Sequence, residues 1–465
     1  MKKVNASALL TISIFLIIDI ILCGFNLIIN MDIVLLGFYT IFLIVSIYMY
    51  RNILLKYLFM YVMFSYHVLS VFLVENYHIY FKNLLETSYR VGALAVLINF
   101  YMIYFGIIFF LEKNNESNNK KKLKSVDSIQ NIKWIKSTFN KKNIKLITII
   151  LLIAIITILF KKRNIGFYAM NGIDRFDYAA LTFSWFDKKF YTYITWLLPI
   201  PLLAQNVGVK KIGNIFMFLY CFFMIWVGDK FGSLFIAFYI YILVIWMTKR
   251  ISKKRFYQMV FICFVAVTIL MIFIALQVKY QWGNWSDIPT YFAHRLTGGQ
   301  SDLWWKIYSD KANMPWRLEE FCKDELGALL RIPKHVTEYN FGIYKMMRVA
   351  APASVVEAYL RRGIRFAAST QATLFYYFGY MGLYMGGAIL AIIGYWIVNR
   401  AVDAYHKSDM ICSICYTMLL TKYISIMQMS EFRFLTNKTT LIAIVVLFIK
   451  YEMEKHKKKM GFNCD

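Results

Sequence analysis

The sequence predicts an all-α integral membrane protein of about 12 transmembrane helices, with one large and partly helical outer loop. Three observations carry that prediction. Apolar residues fill 60% of the 465 positions and charged ones 17%, which leaves too little polar surface for a water-soluble fold of this size. Apolar runs of roughly 18 residues recur, each long enough as a helix to cross about 30 Å of hydrocarbon. Lysines gather in short runs beside those stretches, as expected of segments retained on the cytoplasmic side.

The expected spans lie near 8–29, 33–50, 54–74, 91–111, 145–160, 190–205, 213–228, 232–248, 256–277, 374–397, 410–428 and 438–451. The first follows Met-Lys-Lys but is long and lacks a small-residue cleavage site, so it reads as a retained helix and not a signal peptide. Five regions result: four helices in 1–111, a basic cytoplasmic linker at 112–144, five helices in 145–277 with an outer segment at 161–189, the large outer loop at 278–373, and three helices with a basic tail in 374–465. Segment 113–145 holds ten lysines and reads as a flexible linker. Both termini are then cytoplasmic. The net charge of +27 is explained by membrane retention, so no nucleic-acid partner is expected.

Seven cysteines are scattered, and the CxxC at Cys412 and Cys415 lies in an apolar run, where a buried helical pair is the expected state. Within the spans, Asp19 and His67 call for structural partners between helices, and Lys422 for a cavity or an acidic partner.

Arginine is distributed differently from lysine. Under this topology eleven of the fifteen arginines face outside, and seven of them (Arg295, Arg317, Arg331, Arg348, Arg361, Arg362, Arg365) fall in the 278–373 loop. Positive charge there opposes the topology rule, so it needs another use. A guanidinium is a planar fork of donors that matches phosphate and carboxylate oxygens, and an anionic ligand at the outer face follows. The 161–189 segment sets Asp174, Arg175 and Asp177 among aromatics, either lining a polar site or held by local ion pairs in an interfacial helix. Lys230, in the turn VGDKFGS, either snorkels to the interface or stands at the mouth of the bundle.

The loop itself shows helix signals. WRLEEFCKDELGALL has apolar residues at 318, 321, 322, 326 and 329, the spacing of a face lying on the membrane. Pro352 opens a further helix, in which Arg361 and Arg365 are expected to share a face at i, i+4.

The patterns AHRLTGGQSDLWW, YLRRGIRF and GDKFG, with many apolar spans and a late outer loop, resemble Wzy-type O-antigen and capsular repeat-unit polymerases. The glutamine-then-tryptophan-pair element of that family is stretched here, with Ser-Asp-Leu between Gln300 and Trp304–Trp305. The resemblance implies a GT-C-like glycosyltransferase of the bacterial inner membrane, with its large loop in the periplasm. It implies undecaprenyl-pyrophosphate-linked oligosaccharides as donor and acceptor, membrane lipid around the protein, and a chain-length regulator as a possible partner. No cofactor or metal is expected.

On that chemistry Arg295 would stabilise the leaving pyrophosphate, with Arg175, Lys230, Arg361 and Arg365 binding it. His294 or Asp302 would take the proton of the attacking hydroxyl, with His335 and Glu338 in reserve. Gln300, Trp304 and Trp305 would meet sugar, the tryptophans either as a platform for rings or as packing of the loop onto the bundle. Two alternatives stand beside it: an O-antigen ligase, whose similar arginine-rich loop is poorly separated by sequence from a polymerase's, and a twelve-span lipid-linked oligosaccharide flippase, which fits less well because it needs no outer domain of about 95 residues.

Overall fold

The computed structural model describes residues 2–26, 29–77, 91–126, 141–165, 181–206, 212–227, 231–246, 302–310, 316–330, 338–361, 365–366 and 370–459, with isolated positions between them. Among the described residues the regular elements are all helical. Seven helices among the described residues are long and apolar enough to cross a membrane: Asp32–Met49, Leu58–Tyr77, Ala93–Asn115, Asn143–Lys161, Thr370–His406, Met410–Met429 and Phe432–Met453. Shorter apolar helices cover Ser13–Asn26, Ile212–Trp226 and Gly232–Ile245.

Seven is fewer than the twelve expected, and part of the difference has a local cause. The stretch expected to span at 190–205 is split into Trp185–Leu197 and Pro199–Asn206. Proline lacks the N–H that would continue the first helix, and its fixed φ suits the start of the second. The stretch expected at 213–228 yields a helix of 15 residues, Ile212–Trp226, and 256–277 falls almost wholly outside the described residues. The linker also differs from expectation, because the Ala93–Val126 helix runs through its first half.

Contacts divide the chain into two compact units. The first comprises Met1–Ile132, Ala293–Ile397 and Lys422–Leu441. Here Lys2–Asn26 packs along Ala93–Val126, flanked by Asp32–Met49 and Leu58–Tyr77. Stacked rings fill the interior: Phe64 lies 3.9 Å from Tyr101, and Tyr61 lies 4.0 Å from Phe105. Two side-chain hydrogen bonds join polar groups in this interior, where burial makes pairing valuable. His67 Nδ1 meets the Tyr101 hydroxyl at 2.7 Å, and Gln371 Nε2 donates to the same hydroxyl at 3.0 Å.

Glu75 ties one end of the bundle together. Its carboxylate accepts from the backbone N–H of Val91 (3.2 Å), Ala93 (2.9 Å) and Leu94 (3.2 Å), donors that a helix start leaves unsatisfied. Asp302–Ser309 seats on the same end, and the Trp304 indole donates to Ala93 O at 3.1 Å. The expected span at 374–397 begins earlier, at Thr370, and breaks at Gly379, whose φ of 61° and ψ of −153° are non-helical. Only glycine enters that region without strain.

The second unit comprises Lys133–Phe292, Val398–Thr421 and Ile442–Asp465. Ile144, Ile200, Ala204 and Met410 form a buried core in it. Trp185–Leu197 starts with a capping box in which Ser184 and Asp187 satisfy each other's backbone N–H. Asp187 also pairs with Lys162 at 3.3 Å, and both side chains are buried. Cys412 and Cys415 stand in the Met410–Met429 helix as free thiols, and Asp409 ties its first turn to Lys450.

Candidate functional site

The first unit gathers charge where residues 316–330, 338–350, 365 and 430–434 meet. Two backbone features permit the approach. Gly342 has φ +49°, and a Cβ there would stand 2.5 Å from Ser430 O. Ser430 itself has φ 54°. A side chain at 342 would therefore push apart the Tyr339–Tyr344 turn and the Ser430–Glu431 turn.

Glu431 is the centre of one cluster. Its side chain is fully buried and accepts from Arg365 Nη1 and from Arg433 Nε, the latter at 2.9 Å. Rings back both arginines: Arg433 lies over Tyr339 (5.3 Å) and Phe341 (5.2 Å), and Arg365 over Tyr344 (5.3 Å). Arg348 Nε donates to Tyr339 O at 3.2 Å, and Lys422 Nζ lies 4.5 Å from the Phe434 ring centre.

Two guanidiniums on one carboxylate leave net positive charge, and Lys422 adds to it. Arg365 is 36% exposed, so it can take a second anionic partner while keeping Glu431.

The second cluster is acidic. Lys345 pairs with Glu320 (2.5 Å) and Asp324 (3.0 Å). Arg317 reaches Glu320 at 3.4 Å and donates to the Tyr376 hydroxyl at 2.5 Å. Burial would raise the Glu320 carboxyl, but hydrogen bonds and charge from Lys345, with Tyr376 and Arg317, hold it below its ordinary value. The same acids outweigh burial at Lys345 and raise it. Glu325 is different: burial pushes its carboxyl up to about 7, although Gly342 N–H donates to it at 2.5 Å and the Tyr377 hydroxyl at 3.3 Å. Neutral at low pH and charged above 7, Glu325 is the carboxyl here suited to exchanging a proton near neutrality.

The residues expected at a site from sequence meet different outcomes. His294, Arg295, Gln300, Arg175 and Lys230 lie outside the described residues, and of Asp302 only its place at the start of Asp302–Ser309 is described. Arg365 joins the Glu431 cluster. Arg361 does not share a helical face with it, because the helix Ala353–Arg361 ends before 365; Arg361 is exposed and pairs with Glu357 at 3.3 Å. Trp304 and Trp305 are fully buried, with Trp304 edge-on to Phe375, so their surface is spent on packing. His335 and Glu338 are exposed.

Sequence reading missed Glu431 as the carboxylate that organises the arginines, and missed Lys345 with its acids. The signal for Glu431 was Ser-Glu-Phe-Arg at the close of an apolar span, where an acid has to find a cation.

The model of a family of unknown function (DUF6418) matches residues 336–444, a stretch that includes Arg365, Glu431 and Arg433. No curated protein and no solved structure matches the chain.

Proposed function

We propose that this chain polymerises undecaprenyl-pyrophosphate-linked oligosaccharide repeats into O-antigen or capsular polysaccharide at the outer face of a bacterial inner membrane. The observation that carries the reading is the pair of aromatic-backed arginines, Arg365 and Arg433, on buried Glu431 at the ends of apolar helices. An anionic headgroup attached to a lipid would reach such a cluster without leaving the bilayer. In the reaction, a hydroxyl of the acceptor repeat attacks the anomeric carbon of the donor, and the bond to pyrophosphate breaks. The hydroxyl proton passes to a base, and undecaprenyl pyrophosphate leaves. Arg365 would hold the leaving diphosphate while Glu431 keeps it oriented, an electrostatic contribution made before the charge develops. Arg295 and His294 or Asp302 keep the roles proposed for them from sequence. About 12 spans in a GT-C-like bundle with both termini cytoplasmic belong to the same proposal.

A polysaccharide gel of a deletion strain beside its complemented parent tests this. Loss of the long ladder with retention of core plus one repeat supports polymerase, and Arg365→Ala and Arg295→Ala should each fail to restore the ladder while inserting normally. Bare core with no single-repeat band points instead to a ligase, a flippase or an earlier step. An unchanged ladder removes the proposal. Transport has one observation in its favour, the paired polar groups His67, Tyr101 and Gln371 inside the first unit.

A further inference from the structure

We infer that residues 316–330 form an in-plane anchor seated in the bilayer interface, with lipid as the partner that covers them. The segment is helical through Leu318–Phe321, the π turn Cys322–Leu326 and Gly327–Leu330, and its sidedness is inverted. Asp324 and Glu325 face the protein and are buried, bonded to Lys345, Asn340 and the Gly342 N–H. Four other side chains face out: Trp316 is 62% exposed, Leu318 55% and Leu326 44%, with Cys322 exposed between the two leucines, while Phe321 packs inward on Tyr377 and Phe378. Leu318, Cys322 and Leu326 follow i, i+4, i+8 and so form one stripe along the segment. Water would favour the opposite arrangement, acids out and leucines in.

The occupant follows from continuity. Arg317 N–H donates to Tyr377 O at 2.8 Å, and Trp316 lies 6.1 Å edge-on to Phe378, which fixes the segment to the Thr370–His406 helix. Beyond Phe378 that helix exposes Met381, Met385, Ile389, Ile392 and Trp396 at spacings of three and four residues. Such a stripe on a helix long and apolar enough to span is its lipid-facing side. Trp316 packs on Phe378, three residues before that stripe begins and across the break at Gly379, and an indole suits the boundary between hydrocarbon and headgroups. The exposed charges Glu319 and Lys323 flank the leucine stripe, as in helices that lie on membranes. The anchor holds Glu320, Asp324 and Lys345 at headgroup depth.

The test uses the full chain in nanodiscs of phosphatidylcholine that carries a diazirine near the glycerol end of one acyl chain. After irradiation, digestion and mass spectrometry, carbene adducts on 316–330 should fall within about threefold of those on 381–396. Adducts on 381–396 with none on 316–330 overturn the inference, as do protein–protein crosslinks from photo-leucine placed at position 318 or 326, which would mean a second copy covers the stripe. The double variant Leu318→Glu, Leu326→Glu should lower adducts on 316–330 at least tenfold and leave 381–396 unchanged. If that variant does not fold, the wild-type adduct map alone decides.

Discussion

Replacing Glu431 by glutamine is the sharpest perturbation of the charged cluster. The carboxylate is fully buried and compensates two guanidiniums of unequal exposure, Arg433 at 18% and Arg365 at 36%. Arg365 can recover hydration when its partner is lost, so breaking that pair alone costs about 1 kcal/mol or less. Arg433 is boxed in by Tyr339, Phe341 and Phe434 and cannot, and an uncompensated buried charge of that kind costs about 3–5 kcal/mol. Glu431→Gln should therefore destabilise the protein several times more than Arg365→Ala, which leaves the Glu431–Arg433 pair intact. Thermal unfolding of both variants in the same detergent, with the protein intact and unlabelled, measures the order. Equal midpoints, or a lower midpoint for Arg365→Ala, would refute the reasoning, because Glu431 would then not be the keystone of the two arginines.

Three further outcomes are expected. Glu325 has a folded value near 7 against an ordinary glutamate value of 4.5, so the folded state keeps a proton that the unfolded chain has released; stability falls as pH rises from about 4.5 through about 7, by about 3 kcal/mol at most, and Glu325→Gln should flatten that slope in denaturation at pH 5 and pH 8. Gly379→Ala places a Cβ where φ is +61° and should cost about 1–3 kcal/mol, visible as a lowered unfolding midpoint; an unchanged midpoint would mean the break in the helix carries no strain. Asp187→Ala removes the capping box at Ser184 and leaves buried Lys162 with Thr182 O but no acid to balance its charge, so it should lose about 3–5 kcal/mol, and the added change Lys162→Met should recover part of it.

Helices were legible from sequence wherever the apolar run was long and unbroken, as at 33–50, 54–74 and 410–428, because burial in lipid demands only length and composition. Spans interrupted by proline were not, since Pro199 divides a run whose composition alone reads as continuous. The helix from Pro352 was placed correctly at its start and extended too far at its end, so Arg361 and Arg365 were given one face when only Arg361 is helical. The loop's importance was legible in its arginines, which oppose the topology rule. Their arrangement was not, because it depends on Glu431 in a turn about 65 residues beyond Arg365, brought close by positive φ at Gly342 and Ser430. Long-range pairing of that kind leaves no periodic trace in sequence. The tryptophan pair shows the same limit: sequence allowed either platform or packing, and the indole of Trp304 on Ala93 O decides where its surface goes.

The most direct measurement of the proposed activity is turnover by the purified full chain in liposomes supplied only with undecaprenyl-pyrophosphate-linked repeats. The expected result is a ladder of polymer with release of undecaprenyl pyrophosphate, one molecule for each linkage formed, abolished by Arg365→Ala in protein that still unfolds cooperatively. Protein that folds, holds the lipid-linked repeat and yields neither ladder nor pyrophosphate lipid would contradict it.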